Sequence, residues 1–118
     1  MTNSFGGTVH RLKLHDAQDR VHELNSAGAP VARRAADDGR VSTGREVVVA
    51  GSLGPTGELF APMSVLDYDD AYAAFTAKAN ALAEGGLEML WVETMSSLEE
   101  LRRASTPPLP LAFLWLPA

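Results

Sequence analysis

Cysteine is absent from this 118-residue chain. That excludes disulfides and any thiolate, whether nucleophile or metal ligand, supplied by the chain's own residues. Long apolar runs are absent too, since none approaches the roughly 20 residues that cross a bilayer. The opening Met1-Thr2-Asn3-Ser4 has neither the basic start nor the apolar stretch of a secretory signal. No membrane partner is therefore expected, and the cytoplasm is the expected compartment. Basic charge is scarce, with 10 Lys and Arg against 15 Asp and Glu and a formal net charge of -5. Arg33-Arg34 is the nearest approach to a basic cluster and reads as the solvated side of a helix. Phosphate binding relies on a concentrated basic face, so no nucleic-acid partner is expected.

What remains is ordinary for a globular domain: 46% hydrophobic and 21% charged residues. The segment Thr2–Thr8, TNSFGGT, reads as a tight loop at the end of a strand. A helix is expected from about Asp16, which would cap its first turn, with Val21, Leu24, Val31, Ala32 and Ala35 on its apolar face. Pro30 predicts a kink or break near Ala27-Gly28, and Asp38-Gly39 marks the end of the region. Glu46–Ala50, EVVVA, has the composition of a strand buried on both faces. It leads into Gly51–Gly57, GSLGPTG, which is expected to be loop. A second helix should begin after Asp67, bury Tyr72, Phe75, Ala79 and Leu82, and stop at Gly85-Gly86. Met89–Val92, MLWV, reads as the next buried strand. Ser96 and Glu99 form a capping box for a further helix carrying Leu98 and Leu101. This alternation implies an α/β fold built from βαβ units around a parallel sheet.

The last thirteen residues, Thr106–Ala118, hold four prolines and cannot form a central strand throughout. Leu111–Leu116 could pair as a third strand. The expected division is residues 1–105 as the domain and 106–118 as an atypical Pro-rich apolar tail. Its change of style suggests truncation or an altered reading frame.

Loops at the carboxyl ends of parallel strands hold function, and TNSFGGT, GSLGPTG and ETM all fall there. Glu93 is the sharpest candidate. A carboxylate directly after MLWV sits at the rim of a sheet, where it either grips a substrate ammonium or serves as a capping or salt-bridging group. GSLGPTG lacks the Lys-Ser/Thr of a Walker loop and the dinucleotide glycine spacing, so a plain turn is favoured. His10, His15 and His22, spaced five and seven apart, do not make a metal set and read as solvated. No serine has a triad or elbow context. Trp91 and Trp115 read as core.

Taken in series, TNSFGGT…RLKLHDAQDRVHELN, VVVAGSLGPTGELFAPM and GG-LEMLWVETMSSLEE resemble the homocysteine S-methyltransferase family over about residues 2–104. The likeness extends to betaine-type homocysteine methyltransferases and to the homocysteine-binding domain of cobalamin-dependent methionine synthase. The resemblance implies a partial (βα)8 TIM barrel comprising about units two to four. It implies methyl transfer from a methyl donor to the homocysteine thiol, giving methionine. It also implies zinc bound by three cysteines, one after the sixth strand and a pair after the eighth, which this chain does not contain. Glu93 matches the residue that would bind the homocysteine amino group. Thr2, Ser4 and Phe5 fall in the loop lining that pocket, with Gly51 and Ser52 beside it. No catalytic residue and no metal ligand is assigned to the chain itself. The first strand with its DGA-type motif has no counterpart. The expectation is therefore a fragment inactive alone. The alternatives are a non-catalytic binding or assembly module that self-associates through open strand edges, and a product that barely folds.

Overall fold

The computed structural model describes residues 1–64 and 66–106, together with the backbone of residues 113–116. A short helix α1 (Val9–Lys13) is capped by the Thr8 hydroxyl, which accepts from the Arg11 amide. One 3-10 turn, Gln18–Arg20, leads into the long helix α2 (Val21–Thr43). Strand β1 (Ala50–Leu53), helix α3 (Tyr68–Glu84), strand β2 (Met89–Glu93), helix α4 (Leu98–Ala104) and strand β3 (Phe113–Leu116) follow. The three strands form one parallel sheet in the order β1-β2-β3. Ala50 is in register with Met89, and Glu93 with Leu116. The third strand lies inside the predicted Leu111–Leu116 stretch, of which residues 111–112 lie outside the described residues, as does the Trp115 side chain.

Several expectations shift. Asp16 does not cap a helix; its φ is +53°, and α2 begins at Val21. Pro30 does not break α2, which runs through it without interruption. The carbonyl that Pro30 cannot engage, that of Ser26, faces Gly85 at the end of α3. A Cβ on Gly85 would lie 2.4 Å from that oxygen and 2.8 Å from the Ala29 Cβ. Close helix–helix packing thus outweighs the local penalty of proline. The buried face of α2 is Asn25, Gly28, Ala29 and Ala36; Ala29 meets Gly85, while Asn25 and Gly28 face the amino-terminal loop. In the expected stripe, Val31 and Ala35 are exposed, because small residues let the helices approach. The helix ends at Gly44, φ +69°, rather than at Asp38-Gly39.

The first strand lies later than EVVVA predicted. Val47 and Val48 are exposed, and Gly51–Leu53 belongs to β1 rather than to a loop. Side-chain composition marked the apolar run, but pairing with β2 fixed the strand four residues further on. Helix α3 matches its signals. The Asp67 carboxylate accepts from the Asp70 amide, and Phe75, Ala79 and Leu82 are fully buried, with Tyr72 half-buried. The cap of α4 is Ser97, whose hydroxyl accepts from Glu100 N, one residue beyond the predicted Ser96. Leu53, Phe75, Leu82, Leu90 and Val92 form the core between sheet and helices. Only one face of β2 enters it. Leu90 and Val92 are buried while Met89, Trp91 and Glu93 are half-exposed, so this strand is not buried on both faces and Trp91 is not a core residue.

Candidate functional site at the carboxyl edge of the sheet

Alternation along β2 puts Glu93 on the same face as Trp91, which is in register with Ser52 of β1. Ser52 and Glu93 are therefore diagonal neighbours across the two strands. The Ser52 hydroxyl donates to Glu93 Oε1 at 2.6 Å. On the other side of β1, the amino-terminal loop pairs with the strand: Thr2 N donates to the Ala50 carbonyl at 2.8 Å. The Ser52 amide donates to Thr2 Oγ1 at 2.9 Å, and the Ser4 hydroxyl donates to the Ser52 carbonyl at 2.9 Å. Ser4 has then spent its proton, so in the 2.6 Å contact between Thr2 Oγ1 and Ser4 Oγ the threonine must donate. Thr2, Ser4 and Ser52 are all buried. One connected chain of hydrogen bonds thus runs from the loop to the Glu93 carboxylate.

The paired glycines of TNSFGGT have a spatial cause. A Cβ on Gly7 would sit 2.3 Å from the Asn25 Oδ1, because the Asn25 amide donates to the Gly7 carbonyl at 2.8 Å and ties the loop to α2. The Phe5 ring lies over Gly54, where a Cβ would approach it to 2.6 Å. Gly51 contributes backbone only; the space its side chain would fill belongs to Leu87 and Leu82, on the core side. Of the six residues expected at the site, Thr2, Ser4, Ser52 and Glu93 are joined directly, Phe5 borders them, and Gly51 faces away. Thr94, immediately after Glu93, has φ +54°. Left-handed backbone at a non-glycine residue costs roughly 1–2 kcal/mol and clusters at binding sites.

Two buried ionisable residues were not anticipated. Lys78 of α3 is fully buried, and its Nζ donates to the Phe5 carbonyl at 3.0 Å. Burial lowers its pKa from 10.5 to about 7, while the Glu93 charge acts in the opposite direction. Glu100 of α4 is also fully buried. Its Oε1 accepts from the Thr56 amide and hydroxyl, each at 2.7 Å, and its Oε2 accepts from the Ser96 amide at 3.1 Å. Glu100 therefore clamps the loop after β1 to the loop after β2. Neither residue carries a motif; the signal for Lys78 was a lone lysine at helical spacing from Ala71, Phe75 and Leu82. His10 is not simply solvated, for its Nδ1 is buried without a partner, whereas His22 meets Glu84 at 2.6 Å on the surface.

A parallel sheet with helices packed against it defines an α/β fold. The profile described as homocysteine S-methyltransferase matches residues 1–112, and the chain belongs to that family. It is 34% identical to methionine synthase of Mycobacterium tuberculosis over 103 residues, covering 87% of this chain and 8% of the relative. The corresponding figure for methionine synthase of Mycobacterium leprae is 31%, with the same coverage. The crystal structure of the homocysteine methyltransferase MmuM from Escherichia coli, in its oxidized form, superposes with a TM-score of 0.70 at 21% identity. That match covers 86% of this chain and 38% of MmuM, and it speaks to the fold alone. The chain thus spans less than a tenth of the curated relatives it matches.

The zinc that the family resemblance implies does not fit this donor set. The sequence offers no thiolate, and among the described residues no three His, Asp or Glu side chains converge as a metal site would require. No helix among the described residues is long and apolar enough to cross a membrane.

Proposed function

We propose that this chain forms the homocysteine-gripping part of an S-methyltransferase barrel and takes the amino-acid end of homocysteine at Glu93. The observation that carries the reading is the Glu93 carboxylate, half-exposed at the strand end and oriented by the Ser52 hydroxyl. One oxygen is held by Ser52 and the remaining acceptor positions can receive an ammonium group, a charge-assisted contact. Thr2, Ser4 and Phe5 shape the adjoining wall, and Gly51 holds β1 close to the core so that Ser52 reaches across. Family membership and the methionine synthase relatives support homocysteine over other amino acids. Methyl transfer needs the thiolate form of homocysteine, and among the described residues no metal-holding group is placed to generate it. The isolated chain is therefore expected to bind homocysteine without methylating it, in the cytoplasm, whatever the methyl donor.

The test is calorimetric titration of the pure chain with L-homocysteine, beside an assay for methionine with added zinc and a methyl donor. Binding without turnover is expected. Methionine formed at a steady rate would overturn the division of labour proposed here.

A second reading, an assembly module, rests on the outer edge of β3, which has no partner strand among the described residues. An unpaired parallel edge is a template for another chain. Light scattering decides it: a discrete dimer supports assembly, and a monomer across the accessible concentration range excludes it.

A further inference from the structure

The loops that follow β1 and β2 are tied to one buried carboxylate. Glu100 is fully buried, and its place at the start of α4 is set by the Ser97 hydroxyl, which accepts from its amide at 3.1 Å. Its Oε1 accepts from the Thr56 amide and hydroxyl, each at 2.7 Å, and its Oε2 from the Ser96 amide at 3.1 Å. Both partners lie a short step from the Glu93 site. Thr56 is two residues beyond Gly54, the glycine packed against the Phe5 ring. Ser96 is two residues beyond Thr94, whose φ of +54° turns the chain away from Glu93. Left-handed backbone at a threonine persists only where its surroundings over-determine it, and the Ser96 bond holds the chain just beyond that turn. Beside the clamp, a cavity of about 270 Å³ separates the loops, with Leu59, Phe60 and Met63 on one side and Ser96 and Ser97 on the other.

We infer that Glu100 is a positioning residue for the Glu93 site, its two oxygens setting the distance between the Phe5 wall and the Glu93 anchor. This rests on Glu93 being the ligand's anchor. With no exposed surface, Glu100 itself touches no ligand and acts through the two loops. The role needs a carboxylate, because Thr56 and Ser96 each require an acceptor and a neutral isostere has only one oxygen. A carboxamide turned to serve Thr56 presents its NH2 to the Ser96 amide. Turned the other way, it presents that NH2 to the Thr56 amide. Either way one loop is released.

The test is Glu100→Gln in the full chain, which keeps the side-chain volume, with folding checked by circular dichroism. Two measurements separate positioning from stability alone. By NMR, the Thr94 Cα and Cβ signals, which report its left-handed backbone, should move towards ordinary values. By calorimetry at pH 8, the folded variant should bind L-homocysteine about tenfold more weakly, as expected for one misplaced charge-assisted contact. Added to Glu93→Gln, the substitution should cause no further loss, because both changes act on the same contact. Should the Gln chain not fold, Glu100→Asp serves the same measurements, since its carboxylate is one methylene too short to reach both loops. Unmoved Thr94 signals, undiminished affinity, or additive losses in the double variant overturn the inference. If the Thr94 signals move but the wild type binds no homocysteine, the anchor reading fails and takes the positioning role with it. If the wild type binds through Glu93 and the folded Glu100 variant binds equally well, the anchor stands and only the positioning role is lost.

Discussion

At the scale of single residues, the site joins one group that motif reading could find to two that it could not. Glu93 is legible because it directly follows an apolar strand run and the signal is local. Lys78 and Glu100 are not, because their importance comes from partners 73 and 44 positions away. Each makes a separate prediction. The lysine holds its proton up to about pH 10.5 in the unfolded chain but only to about 7 in the folded one. Unfolding therefore takes up a proton between these values, and stability rises with pH across that window. Below pH 7 the penalty is fully present. Lys78→Met, which keeps the volume and removes the charge, should stabilise the chain at pH 6 by roughly 2–4 kcal/mol. Its gain in Tm should shrink as pH rises towards 10.5. A gain independent of pH would contradict the assignment. Removal of the Glu100 carboxylate leaves the Thr56 and Ser96 amides without their acceptor, so Glu100→Ala should cost about 3 kcal/mol in urea unfolding.

Among the elements, helix α3 shows where sequence signals suffice. Its Asp67 cap, its apolar spacing and its glycine stop all agree with the structure, since each acts within a turn or two. Helix α2 shows where they fail. Pro30 and the apolar positions pointed to a broken helix with a different buried face, yet contact with the end of α3 through Ser26, Ala29 and Gly85 selected an unbroken one. Strand β1 was displaced for a similar reason: the valines of EVVVA mark β propensity, while hydrogen bonding to β2 chooses Ala50–Leu53. The helix contact can be tested. Gly85→Ala would force a methyl against the Ser26 carbonyl and the Ala29 side chain. A loss of about 1–3 kcal/mol is expected, with the circular dichroism of the folded state unchanged. A neutral effect would mean that α2 and α3 are not packed this closely.

Across the described residues, β1 and β2 present one face to the helices, while the amino-terminal loop covers the other face of β1. The alternation of βα units was readable from the sequence and the family from three motifs in series. What was not readable is the way the amino-terminal loop lies along β1 and links Ala50, Ser52 and Glu93 into one network. The match to MmuM covers 38% of that chain and bears on the fold alone.

The central claim is that Glu93 grips an ammonium group. It is tested most directly by calorimetry at pH 8, comparing L-homocysteine with its desamino analogue 4-sulfanylbutanoate, on the wild type and on Glu93→Gln. The account predicts binding of homocysteine by the wild type alone, with affinity lowered at least about tenfold by loss of either charge. Equal affinity for the two compounds, or undiminished homocysteine binding by a folded Glu93→Gln chain, would contradict it.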